Sequence, residues 1–132
     1  MQIQTIKDTI EKLIKSIIHE EYDIVREIFA DDIDNSITTA QGEAFHLVGA
    51  EQYINALKRM NFAKIKPTIS LTQINVLNDH EALFMLEIKA KKGNHLLHNH
   101  AAYLAKFKNN KIISMDMVEA QPKYSDKFWN EF

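Results

Sequence analysis

The spacing of apolar residues divides the chain into a helical half and a strand half. From Thr5 to Ile18, the residues Ile6, Ile10, Leu13, Ile14, Ile17 and Ile18 recur three and four positions apart, forming one face of an amphipathic helix. A second, shorter helix follows the polar Glu20-Glu21 step, with Tyr22, Val25, Ile28 and Phe29 as its stripe. Asp31 and Asp32 mark its exit, because acidic side chains are unfavourable at the negative end of a helix dipole. Ile37 and the run Phe45-His46-Leu47-Val48 suggest short strands around a turn at Gly42. Gly49 then precedes a third helix, on which Tyr53, Ile54, Leu57 and Met60 share a face. Both prolines, Pro67 and Pro122, fall outside these helices.

Beyond Pro67 the period changes from helical to alternating. Ile69 and Leu71 have one parity and Ile74 and Val76 the other, so a bulge is expected near Thr72-Gln73. Asn78-Asp79 offers a tight turn into a strand from about Ala82 to Lys91, with Phe84, Leu86 and Ile88 on one side. Gly93-Asn94 leads into a third long strand, His95 to Lys108, and Asn109-Asn110 is a good two-residue hairpin turn. The last strand runs from Lys111 to about Ala120. Helices first and then a meander of long antiparallel strands is an α+β pattern.

A chain of 132 residues suits one domain, 1–132. Sixteen basic against eighteen acidic side chains give a net charge of −2, which offers no footprint for nucleic acid. With no cysteine, disulfides, thiol nucleophiles and thiolate zinc sites are excluded. The apolar runs fall far short of the ~20 residues of a membrane helix, so no membrane partner is expected. Lys7, Asp8, Glu11 and Lys12 interrupt the apolar core that a signal peptide would need, and the expected location is cytoplasmic.

The candidate chemistry lies on the last hairpin. With Asn109-Asn110 as a two-residue turn, Lys108 faces Lys111, Ala102 faces Met117 and His100 faces Glu119, with His98 diagonal to Glu119. His98, His100, Ala102, Leu104, Met115, Met117 and Glu119 then share a face. A carboxylate beside an imidazole orients the ring and raises its pKa, making a general acid–base pair. Met85, Met115 and Met117 would add a deformable apolar wall for a small organic ligand.

The same residues have a plainer reading, since cross-strand His–Glu pairs also occur on exposed or dimer-forming sheet faces. The opposite face, with Phe84, Leu86, Ile88, Ala101, Tyr103, Phe107, Ile112 and Val118, is the more apolar and is therefore a candidate for the helix-covered core, which would leave the histidine face for a dimer. His98, His100 and Glu119 also form a two-His, one-carboxylate set of the kind zinc or iron uses, but any His-X-His strand provides that spacing. No cofactor is expected, because three glycines leave no glycine-rich phosphate loop. His19, His46 and His80 sit at helix ends or turns and read as solvated, and capping or solvation suits Asp31-Asp32 better than a place at a pocket mouth.

The order of elements, the stretch FADDI at 29–33, the segment KFKNNKIISMDMVEAQP at 106–122 and the ending SDKFW at 125–129 carry a resemblance. Together they resemble the SnoaL-like and nuclear transport factor 2-like superfamily, which includes ketosteroid isomerase. The resemblance implies a cystatin-like conical barrel, with three N-terminal helices packed on a curved, mainly antiparallel sheet. The chain departs from the family's catalytic positions. The isomerase base falls at about Ile37, its tyrosine near Leu13, and its second donor at Ala102 or Tyr103. The cyclase His and Asp fall at about Met115 and Met117. Tyr103 can still donate a hydrogen bond, and Phe128-Trp129 reads as a lid or packing cap over the barrel end.

Two classes of function stay open. One is a cofactor-independent isomerase, cyclase or dehydratase using His100, Glu119 and His98, with Met85, Tyr103, Met115, Met117 and Trp129 around an apolar carbonyl compound. The other is a non-catalytic ligand-binding or interaction module. A homodimer is expected in either case, because long strands outrun three short helices and leave Leu83, Met85, Leu104 and Met117 to be covered.

Overall fold

In the computed structural model, which describes all residues from Met1 to Phe132, the first amphipathic stretch is helix α1 (Ile3–Ile18). Its buried residues Ile6, Ile10, Leu13, Ile14 and Ile17 are the apolar stripe of the sequence. Helix α2 (Tyr22–Ile28) runs without a loop into strand β1 (Phe29–Thr38). Phe29 is therefore a strand residue rather than the end of the helical stripe, and Asp31 and Asp32 lie in the strand. Tertiary pairing overrides local pattern here, because Phe29 sits opposite Ile112 of the last strand.

Strand β2 (Ala44–Val48) returns antiparallel to β1 after a turn at Gly42. Gly49 has φ 94°, a conformation that L side chains avoid, and its N–H donates to the Ile33 carbonyl at 2.8 Å. This sharp corner directs α3 (Ala50–Met60) across the sheet, and the single turn α4 (Phe62–Ile65) follows. Strands β3 (Thr68–Val76), β4 (Glu81–Lys92), β5 (His95–Lys108) and β6 (Lys111–Glu119) form the meander. The chain ends in α5 (Pro122–Asn130). Pro122 opens this helix, where its missing N–H costs nothing, so only Pro67 lies outside the helices.

The six strands form one sheet in the order β2-β1-β6-β5-β4-β3, and β1 with β6 is the parallel pair in an otherwise antiparallel sheet. The helices cover one face, where Phe84, Leu86, Ala105, Phe107, Ile112 and Met115 join the helical stripes in the core. This is the α+β, nuclear transport factor 2-like architecture. No helix is long and apolar enough to cross a membrane.

Two irregularities bend the meander. The β3–β4 register shifts between Leu71 and Gln73, leaving Thr72 as the extra residue, as the parity switch predicts. The second departs from the regular hairpin register expected from the sequence: Phe107 pairs with Ile112 but Lys106 pairs with Ser114, so Ile113 is an extra residue in β6. Past it every pairing moves by one. Ala101, not His100, faces Glu119, and Tyr103, not Ala102, faces Met117. A slip of one residue exchanges the faces of a strand. Met115, Met117 and Glu119 accordingly join Tyr103 on the helix-covered side, while His98, His100 and Met85 stand on the outer face.

Candidate functional site

A cavity of about 280 Å³ lies between the sheet and the helices. Nineteen of its twenty-five lining residues are hydrophobic, so its default occupant is apolar. α1 contributes Leu13, Ile14 and Ile17, α3 contributes Tyr53 and Leu57, and the sheet contributes Phe84, Leu86, Tyr103, Met115 and Met117. Trp129 of α5 also lines it. Lys92 fastens this helix to β4: its Nζ donates to the Phe128 carbonyl at 2.7 Å and the Trp129 carbonyl at 3.3 Å, two of the free carbonyls at the end of α5.

Beside the exposed Arg59 and Asp126, three half-buried groups in this lining can do proton chemistry. Glu119, at the end of β6, accepts a hydrogen bond from Asn99 Nδ2 at 3.0 Å. Asn99 is 1 % exposed, and its Oδ1 accepts from the Gln121 N–H at 3.1 Å, so one amide ties β5 to the β6–α5 turn and aims the carboxyl. Burial raises the Glu119 pKa above the usual carboxylate range, although hydrogen bonds from Asn99 and Ser125 pull the other way. Tyr53 and Tyr103 supply the other two groups. Burial pushes the Tyr53 hydroxyl up to about 12 and holds Tyr103 well above the ordinary tyrosine value, with Tyr53 and Glu119 adding to the rise. Both remain neutral donors at any physiological pH. Phe84 stacks on Tyr103 with ring centres 4.8 Å apart, and Phe29 meets Tyr53 edge-on at 5.5 Å, which fixes both rings.

Among the residues singled out in the sequence, Tyr103, Met115, Met117, Glu119 and Trp129 line the cavity together. His98, His100 and Met85 do not. The expected His100–Glu119 pair is absent, because the extra residue at Ile113 turns Glu119 to the opposite face of the sheet. The partner of His98 is instead Glu87, with 3.0 Å between Nε2 and Oε2. Asp31 and Asp32 lie within β1 and cap no helix, but both are exposed, so the solvated alternative holds for them.

Three further polar residues stand in or beside the cavity wall, and two of them carry no signal in periodicity. Tyr53 passes for an ordinary member of the apolar face of α3, and Asn99 for an outward residue of β5. Asn35 is 1 % exposed, with neither its amide nitrogen nor its oxygen partnered, between the cavity residues Leu47 and Met115 of neighbouring strands. Its sequence signal is a polar residue at core parity in Ile33-Asn35-Ile37.

Solved structures match this fold over nearly its whole length. Bal32a, from a soil-derived mobile gene cassette, superimposes with a TM-score of 0.84 at 15% identity, covering 96% of this chain and 98% of that one. A protein from Jannaschia sp. CCS1 designated a SnoaL-like polyketide cyclase gives a TM-score of 0.77 at 10% identity, covering 98% and 94%. An LEH-like epoxide hydrolase from M. tuberculosis gives 0.66 at 12% identity, covering 86% and 80%. No sequence-family model matches the chain, and no curated protein sequence matches it. The likeness is one of shape: this chain has the fold of the SnoaL-like, nuclear transport factor 2-like superfamily.

Proposed function

We propose that the chain binds a small apolar carbonyl compound in this cavity and moves a proton on it, with Glu119 as the base and Tyr103 as the hydrogen-bond donor. One observation carries the reading: a carboxyl of raised pKa shares an apolar cavity with two phenols that stay protonated and neutral. A carboxylate removed from water is a stronger base, with a pKa closer to neutral, where general-base catalysis is most efficient. It takes a proton from the carbon beside the carbonyl, and the negative charge that develops on oxygen is met by a neutral phenol O–H. Returning the proton at another carbon completes an isomerisation, and swapping it with solvent before return gives exchange. Where the enolate carbon instead attacks a second carbonyl of the same substrate, a ring closes and the proton goes to the alkoxide oxygen formed there. In each case Glu119 ends as it began. The designations of the structural neighbours as a polyketide cyclase and an epoxide hydrolase agree with small-molecule chemistry in this fold. The reading extends to a homodimer formed through the outer sheet face, where Leu83 and Val118 are exposed.

The test is proton–deuterium exchange at the α-carbon of a panel of cyclic ketones and enones, followed by NMR in deuterated buffer. Wild type should accelerate exchange for at least one compound. Glu119→Gln should lower that rate ~10²- to 10⁴-fold, and Tyr103→Phe ~10- to 10³-fold, with binding retained as read by Trp129 fluorescence. Equal rates in wild type and Glu119→Gln would remove the acid–base role and leave a binding module.

A further inference from the structure

On the outer face of the sheet, cross-strand pairing sets Glu87 of β4 directly opposite His100 of β5 and diagonal to His98. The three side chains converge. His98 Nε2 lies 3.0 Å and His100 Nε2 3.4 Å from the same oxygen, Glu87 Oε2, and all three ligand-type atoms fall within 4.8 Å of one another. We propose that Glu87, His98 and His100 form a binding site for a divalent first-row transition ion, of which zinc is the reference case.

The dimensions and the donor types agree. Tetrahedral zinc with bonds of about 2.1 Å holds its ligand atoms about 3.4 Å apart, so the ion fits with small side-chain rotations and no backbone shift. Two imidazoles and one carboxylate select zinc, cobalt, nickel or copper over calcium and magnesium, which favour all-oxygen sites. At present the two rings share one carboxylate oxygen. An ion would take the Nε2 lone pairs, move each ring's hydrogen to Nδ1 and displace any imidazolium proton to solvent.

The scaffold is stiff, because β5 is paired along its length with β4 and along its second half with β6. Gln121 Nε2 also donates to the His98 carbonyl at 2.9 Å, fixing the backbone beside one ligand. Lys89 approaches the other carboxylate oxygen, Oε1, at 3.9 Å. It leaves Oε2 free, but its charge opposes a cation and limits affinity. Three protein ligands leave a coordination position open to water or a further ligand. The sheet separates this position from the cavity, so the site stands independently of the proton chemistry proposed above.

The rest of the molecule supplies internal controls. His46 meets Asp34 at 2.8 Å and His80 meets Asp79 at 2.7 Å, but neither brings a second imidazole. Titration of tag-free protein with zinc chloride, by calorimetry and by competition with a chromogenic chelator, should give one ion per chain. Glu87→Gln, His98→Ala and His100→Ala should each weaken binding at least ~10-fold, while His46→Ala and His80→Ala leave it unchanged. In wild type, zinc should shift the Nε2 nitrogen signals of His98 and His100 and spare those of His46 and His80, a reading that needs no variant to fold. Failure of wild type to bind zinc, or binding that survives in the His98→Ala/His100→Ala double variant, overturns the site.

Discussion

Glu119 and Glu87 stand on opposite faces of one sheet, and their surroundings send them in opposite directions. Glu119 opens into an apolar cavity, where loss of water disfavours the anion and its pKa rises. Glu87 looks outward, where the His98 ring hydrogen-bonds its carboxylate, Lys89 adds a nearby positive charge, and its pKa falls. The residue type is the same and the backbone geometry nearly so. What separates the two proposed roles is which side of the sheet each carboxylate faces, and for Glu119 the pairing around the unpaired Ile113 sets that side.

The sharpest way to break this comparison is to truncate one residue on each face. Phe84, 1 % exposed and stacked on Tyr103, should lose ~3–5 kcal/mol as Phe84→Ala, whereas its neighbour Leu83, 39 % exposed, should lose less than ~1 kcal/mol as Leu83→Ala. Urea unfolding measures both, and similar losses would mean that the outer face is buried too, as in a dimer. A smaller effect belongs to Asn99. Asn99→Ala leaves the Gln121 N–H and the Glu119 carboxylate without their partner, costing ~1–3 kcal/mol. Because that hydrogen bond favours the charged form, its loss should move the Glu119 midpoint further up in a carbon-detected NMR titration.

The finest distinction is in pH dependence. The folded-state pKa of Glu119 lies above its unfolded value, so its contribution to stability is present below the ordinary carboxylate range and is lost as pH rises through the folded value. Glu119→Gln removes this loss. The variant should gain on wild type between mildly acidic and neutral pH, by less than ~1 kcal/mol because the carboxyl keeps some contact with solvent. In metal-free protein, NMR should place the Glu87 midpoint below the ordinary range. Equal midpoints for the two carboxylates would erase the contrast.

Much of the fold is legible in the sequence because periodicity reports which face is buried. The α1 stripe, the meander and the Thr72 bulge all follow from it. The boundary at Phe29 does not, since pairing with Ile112, 83 positions away in the chain, decides it. The short α5 stays hidden because Pro122 suggests a break when it opens a helix. Tyr103, Met115, Met117, Glu119 and Trp129 line one cavity, although the register expected from the sequence set Tyr103 on the other face, and the histidines meet Glu87 rather than Glu119. The mark that would have corrected this is the one that reveals the Thr72 bulge. Ile112 and Met115 are both core residues three positions apart, a parity switch masked by Ile113, which supplies an apolar residue at either parity.

The extra residue at Ile113 also gives β6 two addresses. Residues 111 and 112 keep time with the hairpin turn, and residues 114 to 119 keep time with the cavity. A saturation scan along this strand would therefore read as two combs out of step, with the teeth at Ile112, then Met115 and Met117, and a double gap between them. Deleting Ile113 itself would close the gap without exchanging any inward residue for an outward one, since the pairs on either side already stand in sequence. The strand can lose its bend and keep its chemistry, whereas inserting one residue anywhere between Ser114 and Met117 would turn Glu119 out of the cavity.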